Sequence, residues 1–127
     1  MTRVLLVGLE PDAVDYSDPS LPPDMNADKT RAGLQVALTQ MTERGWETEF
    51  CALLPDETAV PTVERRLTEQ SYDCVMIGGG IRVPPSKLVL FEAVVNAVHR
   101  AAPRAAIAFN THPENSADAV GRWLRSA

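Results

Sequence analysis

The sequence predicts a three-layer, doubly wound α/β fold with four parallel strands in the order 2-1-3-4. Three observations predict it. Short apolar runs alternate with helix-forming segments along the chain, a pattern that demands right-handed crossovers and a parallel sheet. The first and third runs are the most apolar, so they belong at the centre of the sheet, covered on both faces. At 127 residues the chain has room for one domain and one core.

Residues 3–10 (RVLLVGLE) form the first strand. Residues 10–27 follow as a long acidic loop with Pro11, Pro19, Pro22 and Pro23 and no periodicity. Loops of that length in compact domains are usually functional lids or disordered, and a solvated, flexible flap is the expectation here. Asp28 is placed to cap a helix over 28–44, with Leu34, Ala37, Leu38 and Met41 on its apolar stripe and Gly45 as the residue that ends it. Residues 47–54 (ETEFCALL) begin polar and end apolar, which suits a strand nearer the edge. Pro61 can open the second helix, with Val60, Val63 and Leu67 on one face.

The third strand is the most informative segment. Tyr72-Asp73-Cys74-Val75-Met76-Ile77 runs straight into Gly78-Gly79-Gly80-Ile81-Arg82. Residues 87–100 then predict a well-buried helix through Leu88, Phe91, Val94, Val95 and Val98, with His99 near its C-terminal dipole. Residues 104–110 (RAAIAFN) form the fourth strand. Thr111 and Glu114 have capping-box spacing for a last helix running to about 125, its Val120, Trp123 and Leu124 facing inward.

Composition excludes some functions. Twelve basic against seventeen acidic side chains give a formal net charge of −5, which opposes nucleic-acid or anionic-membrane binding. The early apolar run is too short for a signal segment or a membrane span, so a cytoplasmic location is expected. Cys51 and Cys74 both fall within strands and read as small buried hydrophobes rather than reactive thiols. No Cys/His cluster suggests zinc.

Three loops should converge where the chain reverses between the first and third strands, the crevice in which open α/β sheets bind ligands. Gly78, Gly79 and Gly80 allow positive φ and close backbone approach, so their amides could cradle a phosphate or carboxylate, with Arg82 adding a fixed charge. Asn110 and Thr111 could join them or simply cap the last helix. His112 could act as general acid/base or lie in solvent. Glu10, Asp12, Asp15, Asp18 and Asp24 could hold a divalent cation, although their spacing matches no EF-hand. Their charge also works against an anion in the crevice.

Gly8-Leu9-Glu10-Pro11 resembles the opening of pyroglutamyl peptidases, but that family's nucleophilic cysteine has no matching motif here, so its activity is not carried over. The strand order resembles flavodoxins and response-regulator receivers, a flavodoxin-like or Rossmann-like architecture. The first loop lacks the Ser/Thr-rich phosphate-binding turn of the former. The third strand ends in glycines rather than the phosphorylatable aspartate of the latter. Low-molecular-weight phosphatases carry a cysteine where Gly8-Leu9-Glu10 stands.

The functional expectation is binding of a small anionic or nucleotide-like metabolite through Gly78, Gly79, Gly80, Arg82, Asn110 and Thr111. One alternative is a hydrolase or transferase using His112 as acid/base. Another is a regulatory domain without chemistry that self-associates as a homo-oligomer. No cofactor is named by the sequence.

Overall fold

A computed structural model describes residues 1–124. The strands β1 (Arg3–Leu9), β2 (Glu47–Leu53), β3 (Cys74–Ile77) and β4 (Ala106–Phe109) form a parallel sheet in the order β2-β1-β3-β4. Helices α1 (Ala27–Glu43), α2 (Ala59–Glu69), α4 (Leu88–Ala101) and α5 (Ser116–Gly121) cover it, and a single helical turn, α3 (Gly79–Arg82), follows β3. The three-layer flavodoxin-like arrangement is the one the alternation predicts.

Strand alternation sorts the apolar side chains onto two faces. Leu5, Val7, Val75 and Ile77 point to one face and pack with Val63 and Leu67 of α2 and Val94 and Val98 of α4. Val4, Leu6, Cys74 and Met76 point to the other, against Ala37 and Met41 of α1 and Val120 of α5. Register sets Leu6 beside Phe50 on one side and Met76 on the other, with Ala108 beyond Met76. All four residues of β3 are buried, whereas β2 is buried only at Cys51 and Leu53 near its end. Central and edge strands therefore follow the apolar content of the sequence.

Several element ends differ from the expectation. Helix α1 starts one residue before Asp28 because Asn26 is the cap, its Oδ1 accepting from the Lys29 amide at 2.8 Å. Asp28 instead sits in the first turn and pairs with Arg31 at 3.2 Å. Helix α2 begins at Ala59, so Pro61 is its third residue, still inside the turn where a missing N–H costs nothing. Leu88 is 57 % exposed, because the 3-10 turn Pro85–Lys87 leaves it at the helix start rather than on the buried stripe. The last helix is short: a 3-10 turn, Pro113–Asn115, replaces its first part, and it ends at Gly121. Trp123 consequently lies past the helix and is 62 % exposed rather than inward. Position 125, the expected helix end, lies outside the described residues.

Gly45 closes α1 with φ 84, the left-handed conformation expected of a residue that ends a helix. Gly45→Ala should therefore lower stability by about 1 kcal/mol, since an L side chain is strained there. The midpoint of urea unfolding measures this, and an unchanged midpoint would mean the turn relaxes.

Buried acids make stability sensitive to alkali, Tyr72 and Cys74 most strongly and Cys51, also raised by burial, alongside them. Burial, and next its bond from Tyr72 Oη to Glu49 Oε1 at 2.7 Å, pushes the Tyr72 phenol from 10.0 up to about 12. Burial, with Asp73 nearby, pushes the Cys74 thiol from 9.0 up to about 12. Both folded values lie above the unfolded ones, so the fold favours the neutral forms. Their contribution is complete below the unfolded values and is lost as pH climbs toward about 12. The melting temperature should fall progressively once pH passes about 9, the lower of the two unfolded values. Tyr72→Phe should flatten the upper part of that decline.

Candidate functional site

The carboxyl ends of β1, β3 and β4 open onto a cavity of about 440 Å³. Its floor is the sheet face that carries α1. Leu6 and Met76 form the deeper part, and Gly8 and Gly78 the part nearer the strand ends. These two glycines are neighbours, because a Cβ on Gly78 would lie 3.5 Å from the Val7 carbonyl and 4.0 Å from Gly8 Cα. Two central strands thus end without side chains on one face, and the missing volume is the hollow.

Thr30 and Leu34 of α1 and Phe50 of β2 form one wall. Gly79, Gly80 and Val83 form another, and Thr111, His112, Pro113 and Glu114 a third. The 10–26 segment is the roof, contributing Val14, Tyr16, Leu21, Pro22 and Met25. The sequence suggested a loose flap here, but the segment is built. Pro11–Ala13 form a 3-10 turn. Tyr16 Oη donates to the Pro11 carbonyl at 2.8 Å and meets Thr30 Oγ1 at 2.9 Å, which ties the strap to α1.

Two acidic residues of the strap, Asp15 and Asp18, are used in its own turns. Asp15 Oδ1 accepts from the amide and hydroxyl of Ser17 at 3.1 and 2.5 Å. Asp18 Oδ1 does the same for Ser20 at 2.8 and 2.5 Å. The Ser20 hydroxyl and amide bonds hold the Asp18 carboxyl below its ordinary range. Asp12 pairs with Arg31 at 3.2 Å. Among the described residues, no group of three or more His, Cys, Asp or Glu is arranged to hold a metal ion.

The triple glycine does something other than supply positive φ. Gly78 has φ −75, and Gly45 is the glycine with positive φ among the described residues. Gly79 and Gly80 instead start α3. Gly79 approaches the β4 loop closely, since a Cβ there would be 3.6 Å from the Thr111 carbonyl, while Gly80 has open space beside it.

Asn110 is the node of the site and is 5 % exposed. Its Oδ1 accepts from the Gly79 amide at 3.1 Å, its Nδ2 donates to Ser116 Oγ at 2.9 Å, and its carbonyl accepts from Arg82 Nη2 at 2.5 Å. It ties β4, α3 and α5 together. Asn115, which the sequence did not single out, organises the next turn. Its Oδ1 accepts from the amides of Thr111 and His112 at 3.2 and 3.4 Å, and its Nδ2 donates to Thr111 Oγ1 at 2.5 Å. The expected Thr111–Glu114 capping box is therefore displaced by one residue. Glu114 faces His112 instead, its Oε2 3.2 Å from the ring Nδ1.

Gly78, Gly79, Gly80, Asn110, Thr111 and His112 all line the one cavity. Arg82 is not among its lining. The guanidinium bonds to the Asn110 carbonyl and lies over the Phe109 ring at 5.9 Å, and its Nε is buried without a hydrogen-bond partner. Gly33 and the apolar strap residues were also passed over in the sequence. The available signals were a glycine inside a helix and Val14, Leu21 and Met25 within an otherwise polar loop.

No protein-family model matches the chain, and no curated protein matches it with significant similarity. Among the described residues no helix is long and apolar enough to cross a membrane.

Proposed function

We propose that the protein is a cytoplasmic small-molecule binding domain that takes a metabolite beneath the 10–26 strap, at the carboxyl ends of β1, β3 and β4. The observation that carries this reading is the cavity of about 440 Å³, lined by three strand-end loops and roofed by the strap. Its size falls within the roughly 300–1,000 Å³ typical of small-molecule sites, and its position is the one where open α/β sheets bind ligands. Mostly apolar lining with a few polar groups at one end supplies both affinity and orientation.

The test is a thermal-shift screen of a metabolite panel on the wild-type chain and on Gly78→Leu. A compound that binds the cavity should raise the wild-type melting temperature by several degrees, because a ligand of the folded state stabilises by mass action. The leucine, on the cavity floor, should abolish that shift. Equal shifts in the two proteins, or none across the panel, would remove the reading.

A hydrolase or transferase remains the second reading, favoured by the His112–Glu114 contact of 3.2 Å at the cavity wall. A carboxylate that orients an imidazole is half of an acid/base device. A protein nucleophile would have to come from the hydroxyls of the lining, Tyr16, Ser20, Thr30 and Thr111. Ser20, the serine in the lining, gives its hydroxyl hydrogen to Asp18. If turnover of a bound compound is found, loss of that turnover in His112→Ala with retained binding supports this reading, and unchanged turnover ends it.

A further inference from the structure

Most of the backbone donors that would hold an anion at the three strand ends are already committed inside the protein, the Gly80 amide at the start of α3 being the exception among those lining the cavity. The Glu10 amide donates to the Leu53 carbonyl at 2.8 Å, and the Gly78 amide to the Val7 carbonyl at 2.8 Å. The Gly79 amide goes to Asn110 Oδ1 at 3.1 Å, and those of Thr111 and His112 go to Asn115 Oδ1. Asn110 Nδ2 is likewise given to Ser116. A carboxylate or phosphate entering here would lose its hydration and find few replacements, which is costly.

Side-chain charge points the same way. Among the described residues no lysine or arginine lines the cavity, Glu114 is the one carboxylate that does, and His112 beside it is the one basic side chain. Arg31, beside the strap, is held by Asp12 and Asp28. The strap sequence carries Asp12, Asp15, Asp18 and Asp24, none of which lines the cavity. The carboxylate of Glu114 in the lining therefore favours a cation over an anion there.

The body of the cavity is apolar and soft. Met25 and Met76 face it together with Phe50 and Leu34. Thioethers contact aromatic rings favourably and adapt to their shape.

From these observations we infer that the ligand is a small protonated amine with an aromatic or bulky apolar body, its ammonium directed to the Glu114 carboxylate at the cavity mouth. This inference rests on the binding reading above and replaces the anionic ligand expected from the glycines and Arg82. The ammonium offers donors to the Glu114 carboxylate, whose Oε2 also meets His112 Nδ1, and the apolar body covers the Leu6–Met76 floor. A charge-assisted bond to Glu114 then sets the orientation.

Three probes with one phenylpropyl body test it: 3-phenylpropan-1-amine, 3-phenylpropan-1-ol and 3-phenylpropanoate. Affinities are read by titration calorimetry on the full chain, on Glu114→Gln and on Gly78→Leu. The amine should bind about tenfold more tightly than the alcohol, the increment expected of a charge-assisted bond at a partly exposed site, and the carboxylate most weakly. Glu114→Gln should bring the amine to the level of the alcohol and leave the alcohol unchanged. Gly78→Leu should weaken all three. If the carboxylate binds as tightly as the amine, or if the amine keeps its advantage in Glu114→Gln, the inference is overturned while the cavity stands as a site. If no probe binds the wild-type chain, or if Gly78→Leu binds them equally well, the inference is overturned. The thermal-shift screen separately decides whether the cavity reading falls with it.

Discussion

Asn110→Ala should destabilise the protein by about 3 kcal/mol, a large effect for a single side chain ending a strand. The residue is 5 % exposed and each polar group of its side chain has a defined partner. Truncation leaves the Gly79 amide without its acceptor and Ser116 Oγ without its donor. A buried group left unpaired costs about 1–3 kcal/mol each, more than the net gain from making the bond. The small void left behind adds to this. Asn110→Asp separates the two halves of the argument. Its Oδ1 can still accept from Gly79, and the Ser116 hydroxyl can rotate to donate to the second oxygen, so only burial of a new charge opposes it. The aspartate variant should therefore fall between wild type and alanine. Denaturant unfolding of the three proteins gives the order, and an alanine variant as stable as wild type would show that Asn110 holds nothing together.

The same node marks where sequence reasoning stops. Alternating apolar runs and helical periodicity suffice to order the strands, because burial on both faces forces β1 and β3 to the centre of the sheet. They also bring Gly79 and His112 to one end of the molecule, since parallel strands place every carboxyl end on the same edge. What side chains do at that edge depends on partners several residues away. Asn110 finds Ser116 and Gly79, Asn115 finds two amides behind it, and the amides that three glycines seemed to offer a ligand are partly spent. Arg82 follows the Phe109 ring and the Asn110 carbonyl, a direction that no local pattern encodes.

The strap gives the opposite lesson. Asp15-Tyr16-Ser17 and Asp18-Pro19-Ser20 fold into the same side-chain-to-backbone turn as Asp56-Glu57-Thr58 before α2. Such Asp-x-Ser/Thr turns are local and have a recognisable signature. The acidity of this loop is thus a folding device as much as a charged surface, and its apolar residues were the pointer to a roof. Trp123 fails for a related reason, since the 3-10 turn Pro113–Asn115 uses up the chain that a longer last helix needed.

Gly33→Leu is the other substitution expected to act strongly. Helix α1 passes the Pro113–Asn115 turn at this glycine, and even a Cβ would sit 2.7 Å from Glu114 Oε1 and 3.0 and 3.3 Å from Pro113 Cβ and Cγ. The Glu114 oxygen is the end of a flexible side chain and can move. The proline ring cannot move without its backbone. Gly33→Ala should consequently be close to neutral, its gain in helix propensity of about 1 kcal/mol offsetting a few tenths of an ångström of adjustment. Leucine exceeds what adjustment can absorb, and overpacking of this kind costs about 1–3 kcal/mol. The displacement it forces also reaches the ligand site, because Pro113 and Glu114 line the cavity. A ligand identified in the screen should therefore bind Gly33→Leu at least several-fold more weakly than Gly33→Ala. Unfolding and binding measured on both variants separate the two effects: leucine lowering stability without altering affinity would mean that the turn shifts as a unit and the cavity wall is not set by α1.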